Sequence, residues 1–108
     1  VPALAEIFQL AAENDLIFAT GHSGPAESLI VLAAARQAGV KRLLVTHVLS
    51  DSTHATIEQM KQMAELGAVM EFTWLAHLGG IAGPVVTTRA SKAVPVSEAA
   101  RAIHESLK

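Results

Sequence analysis

The stretch LIFATGHSGPAESLIVLAAARQAGVKRLLVTH (residues 16–47) holds two short apolar runs, each followed by a histidine, with one helix-like segment between them. The first run, LIFATG, leads into His22; the second, RLLVT, leads into His47. Between them Gly24-Pro25 suits a helix start, because proline at the first helical position has no amide hydrogen to waste. Leu29, Ile30, Leu32, Ala33 and Ala34 follow at helical spacing, and Gly39 is a natural stop. Strand, helix and strand in that order predict a βα unit with parallel strands and a right-handed crossover.

The rest of the chain repeats this unit. Residues 3–13 carry Leu4, Ile7, Phe8, Leu10 and Ala11 on a helical period, with Asn14 as the expected left-handed terminator. A third helix is expected over about 54–66. Its caps would come from Asp51, Ser52 or Thr53, its apolar face from Ile57, Met60, Met63 and Ala64, and its end from Gly67. Met60 and Met63 read as core residues. AVMEFTW (68–74) reads as a third strand, residues 75–94 as a loop rich in glycine and threonine, and 95–107 as a last helix. The second strand is almost wholly apolar, as expected where both sheet faces are covered.

The count along the chain places the histidines. Eight residues beyond Asn14, Gly39 and Gly67 stand His22, His47 and Leu75. His22 and His47 therefore occupy equivalent points of successive units, at the carboxyl ends of neighbouring strands, where ligands bind in open sheets and in barrels. Strands about 4.8 Å apart let two such imidazoles reach one ion at about 2.0–2.1 Å each. The plainer use of each ring is a hydrogen bond to loop backbone.

Composition narrows the function. The 108 residues are 51% hydrophobic and 17% charged, with a net charge of −2. This excludes the disordered class and gives no basic footprint for nucleic acid. No apolar run approaches the roughly 18 residues of a membrane span. Cysteine is absent, so thiolate metal sites and disulfides are excluded, and a cytoplasmic location is expected. The chain reads as a single segment, 1–108, whose apolar excess expects covering by the rest of a barrel or by a homo-oligomer partner.

Other residues have two uses each. The turn Gly21-His22-Ser23-Gly24 offers helix-start amides and the Ser23 hydroxyl to a phosphate or carboxylate; a tight turn that needs glycine for its dihedrals explains it as well. It is not a nucleophile elbow, because Pro25 stands where glycine is required, and no Gly-Lys-Ser/Thr follows to make a phosphate-binding loop. Glu71 lies in an apolar strand, where a carboxylate needs a partner. The commoner partner is a lysine or arginine from another strand; the alternative is to orient a ligand histidine. His54 is expected in solvent and His104 on the surface. His77, with Trp74 and Gly79-Gly80, would line a substrate pocket or a lid.

ATGHSGPAESLIVLAAARQAGVKRLLVTH followed by IEQMKQMAELGAVMEF resembles the later part of a barrel of the amidohydrolase superfamily, above all its phosphotriesterase-like members. The resemblance spans about residues 3–107. It implies an α/β fold that is part of a (β/α)8 barrel, with His22 and His47 as the metal ligands after the fifth and sixth strands. It implies a divalent metal, zinc or manganese, and a small-molecule substrate with an amide, ester or phosphoester bond. It also implies a His-x-His pair, a bridging lysine or carboxylate and a proton-accepting aspartate on strands outside this segment. The alternative from the residues alone is a non-catalytic α/β module that binds a phosphate or carboxylate at the glycine-rich turn.

Overall fold

The computed structural model describes residues 2–50, 53–73 and 95–106. Helices and strands alternate: α1 (Pro2–Glu13), β1 (Ile17–Ala19), α2 (Pro25–Gln37), β2 (Arg42–Val45), α3 (Ile57–Glu65), β3 (Ala68–Met70) and α4 (Val96–Ser106). The three strands form one parallel sheet in sequence order, β1-β2-β3. The α/β class and the parallel pairing agree with the pattern of apolar runs. Among the described residues no helix is long and apolar enough to cross a membrane.

Local chemistry sets the boundaries. The chain leaves α1 through Asp15 at φ 52°, not through Asn14. Leu16 N donates to Ala11 O at 2.9 Å, closing a Schellman-type end. Asn14 instead turns its side-chain amide back onto Leu10 O at 2.9 Å. The α2 end is built alike: Gly39 has φ 92° and Val40 N donates to Ala35 O at 3.0 Å. That conformation favours glycine because a Cβ is crowded there.

The third helix starts later than the caps at 51–53 suggested. Thr56 is its N-cap: Gln59 N donates to Thr56 Oγ1 at 3.2 Å and Thr56 N donates to Gln59 Oε1 at 2.9 Å. This is a reciprocal capping box, and its T-x-x-Q signature stands in the sequence as TIEQ. Thr53 caps no helix; it is buried in the loop after β2. Replacing Thr56 by alanine is expected to lower stability by about 1 kcal/mol, read by urea denaturation.

The strands are shorter than the apolar runs, because pairing ends at Ala19, Val45 and Met70. Met60 and Met63 are core residues, buried with Leu32, Ala35, Val40, Leu43 and Val45. Phe8 of α1 meets Phe18 of β1 edge to face, with centroids 5.0 Å apart. Ile7, Leu10 and Ile30, grouped by period with core positions, lie exposed instead.

Strands laid down in sequence order with crossovers of one hand put α2 and α3 on the same face. Phe18, Leu43, Val45 and Ala68 face those helices. The opposite face carries Ala19, Leu44 and Val69 in one row of the register, with Ile17 beside them. Ile17 is 63% and Val69 66% exposed. Among the described residues, then, only one face of the sheet is covered, where the apolar β2 had suggested two. A groove of about 380 Å³ opens on the bare face between Ile17, Leu44 and Val69, rimmed by Lys41 and Arg42 at the amino ends of the strands.

Candidate metal centre

Parallel pairing is offset by 25 residues at each step, Ile17 lying against Arg42 and Leu43 against Ala68. His22 and His47 differ by the same interval, so the register carries them to corresponding points past the ends of β1 and β2. Their rings stand side by side, with centroids 5.4 Å apart and planes inclined by 41°. The same register sets Glu71 beside Thr46, and Phe72, not Leu75, at the histidine position of the third strand. The count from Gly67 overshoots by three because Gly67 stands opposite Arg42 in the register, three residues past Gly39.

Hydrogen bonds tie the strand ends together below the rings. Thr20 N donates to Leu44 O at 3.0 Å and the Thr46 hydroxyl donates to Gly21 O at 2.6 Å. Gly21, at φ 65°, makes the left-handed turn that brings its carbonyl to Thr46. Past β2 the chain turns sharply. His47 has φ 50°, a conformation uncommon outside glycine and one that marks functional or strained positions. Its carbonyl accepts from Ser50 N at 2.8 Å and from the buried Thr53 hydroxyl. Ala55 N donates to Val48 O at 2.9 Å, closing the loop.

Glu71 sits one residue past β3 and still follows the sheet: its N–H donates to Val45 O at 2.9 Å and its carbonyl accepts from Val48 N at 3.1 Å. Its side chain meets His47. Glu71 Oε2 accepts the His47 backbone N–H at 3.1 Å and stands 3.3 Å from His47 Nδ1. Nδ1 is buried and no acceptor is aligned on it for a hydrogen bond; its contact with Glu71 is one of distance alone. Among the described residues the carboxylate touches the histidine of the neighbouring strand.

The other candidates divide. Ser23 is half-buried in the turn before α2, and its carbonyl accepts from the buried Ser28 hydroxyl at 3.3 Å. His54 is exposed, with Nε2 3.7 Å from Glu98 Oε1 on α4. His104 is exposed on α4. Trp74, His77 and Gly79-Gly80 lie outside the described residues, as does the expected loop over 75–94. Thr46 and Thr53, which shape the loop holding His47, have no motif of their own; the Thr-His pair closing an apolar strand is the signal nearest to them.

The donor chemistry can be tested against a metal. Two imidazoles that share a tetrahedral zinc at about 2.0–2.1 Å per nitrogen have centroids about 5 Å apart. The separation of 5.4 Å meets that requirement. Among the described residues no group of three or more histidine, aspartate or glutamate side chains is arranged around one point. The pair thus fits as part of a ligand set, since zinc usually takes three or four protein donors.

No curated protein and no solved structure is detectably similar to this chain. A family model, described as a family of unknown function (DUF6282), matches residues 1–71. The matched span runs from α1 to the residue after β3 and includes His22, His47 and Glu71. The chain therefore belongs to the DUF6282 family.

Proposed function

We propose that this chain is part of a metal-dependent hydrolase of amidohydrolase type, with His22 and His47 as two of its metal ligands. The observation that carries the reading is the pair of imidazoles, 5.4 Å apart, at the carboxyl ends of adjacent parallel strands. Sequential strand order with the helices on one face is the arrangement of a (β/α)8 barrel, in which the opposite face forms the packed interior. The bare row of Ala19, Leu44 and Val69 supports this architecture, completed by further βα units or by another copy of the chain. In such a barrel the histidines would lie at the rim where barrel enzymes bind substrate, and the groove beside Lys41 and Arg42 at the other rim.

A bound divalent ion, zinc or manganese, would lower the pKa of a coordinated water toward 7 and polarise a carbonyl or phosphoryl oxygen. His22 and His47 would fix the position of the ion. Ser23, in the turn beside His22, would reach toward a small-molecule substrate, and Trp74 and His77, which come after the third strand in the sequence, would serve the same substrate. Proton acceptance falls, by the resemblance, to an aspartate on a strand outside this segment. A cytoplasmic location belongs with this reading.

Zinc titration of the full chain at neutral pH, followed by calorimetry, tests it. One saturable site is expected in the wild type and none in the double variant His22→Ala/His47→Ala. An absence of saturable zinc or manganese binding, together with binding of inorganic phosphate, would establish the anion-binding module instead. Glu27 in the first turn of α2 works against that outcome, because its negative charge competes for the positive end of the helix.

A further inference from the structure

We infer that Glu71 is a positioning residue: its carboxylate fixes the proton of neutral His47 on Nδ1 and leaves the Nε2 lone pair as the ring's ligand atom. The consequence for metal binding rests on the hydrolase reading above; the tautomer itself does not.

The argument begins with one oxygen. Glu71 Oε2 faces both the backbone N–H and the Nδ1 of His47, at 3.1 and 3.3 Å. An ionised carboxylate only accepts hydrogen bonds. The contact at Nδ1 is not aligned as a hydrogen bond, but at 3.3 Å the carboxylate repels a lone pair there and attracts an N–H, so the nitrogen beside the carboxylate is the one that carries hydrogen. What one ring nitrogen faces sets the protonation of the other. Nδ1 is buried, whereas the side chain as a whole keeps 31% of its surface exposed. The exposed part of the side chain therefore excludes Nδ1.

The backbone shares in this arrangement. His47 at φ 50° turns its own N–H toward the side chain of Glu71. One carboxylate thereby stabilises an uncommon backbone conformation and a ring orientation together. Glu71 is itself held by main-chain bonds to Val45 and Val48, on either side of His47. A carboxylate behind a ligand imidazole is the arrangement that orients the ring.

Long-range ¹H–¹⁵N correlation spectra of the metal-free full chain test the tautomer, recorded at a pH above the histidine titration range, where the rings are neutral. The expected result is a protonated Nδ1 and an unprotonated Nε2 for His47, with exposed His104 as the internal reference. In Glu71→Ala, His47 should take up the tautomer ratio of His104. In Glu71→Gln, whose amide oxygen still accepts, it should keep the wild-type tautomer. A wild-type His47 protonated on Nε2, or a ratio unchanged in Glu71→Ala, would overturn the inference. Should Glu71→Ala not fold, the wild type and Glu71→Gln decide the question.

Zinc titration adds a second readout. Glu71→Ala is expected to bind zinc about 10–100-fold more weakly than the wild type, with Glu71→Gln between them. Equal affinity in wild type and Glu71→Ala would overturn the positioning role. A wild type that binds no zinc, yet shows the Nδ1-protonated His47, would refute the hydrolase reading and sustain the role of Glu71 in setting the ring.

Discussion

Leu32→Ala is expected to lower the unfolding free energy by about 2–5 kcal/mol, the range for removing a large aliphatic side chain from a packed interior. Leu32 is wholly buried in α2, within the cluster that joins Leu43 and Val45 of β2 to Met60 and Met63 of α3. Truncation removes apolar burial and leaves a cavity that neighbours on three elements would have to close. Against a typical domain stability of about 5–15 kcal/mol, this is a large fraction. Urea denaturation would show it as a lowered midpoint with an unchanged slope. Ile30, two residues earlier on the same helix, is 72% exposed, and Ile30→Ala should change stability by no more than about 0.5 kcal/mol. Equal losses at the two positions would contradict the assigned helix face.

His47→Gly is expected to weaken zinc binding at least about 100-fold, because loss of a supporting partner alone costs 10–100-fold and here a ligand itself is removed. Glycine is the informative replacement. At φ 50° an alanine retains the steric conflict of a left-handed residue, of order 1 kcal/mol, whereas glycine relieves it. His47→Gly should therefore fold at least as well as His47→Ala while binding metal no better. Thermal unfolding and zinc titration of both variants separate the two contributions. Undiminished zinc affinity in His47→Gly would remove this histidine from the ligand set.

The two expectations show how unevenly the sequence speaks. Periodicity placed α2, but it could not rank Ile30 against Leu32. Both fall on an apolar stripe too broad to name its buried centre, and packing against β2 and α3 chose among them. The strand-end histidines were legible from an apolar run ending in Gly-His and another ending in Thr-His. The start of α3 was also legible, as Thr56 and Gln59 three residues apart, but competing cap residues at 51–53 obscured it.

Alternating apolar runs, helix stops and Gly24-Pro25 determined by themselves that this chain builds parallel βα units and sends two histidines to one rim. These are local features, within one helix or strand of each other. The meeting of Glu71 with His47 was decided by tertiary structure alone. It depends on a strand register across 24 residues and on a left-handed turn at a residue that is not glycine. The bare row of Ala19, Leu44 and Val69 is likewise a property of the assembled sheet. An apolar strand declares that it will be buried, but which face is covered depends on where its crossover helices pack.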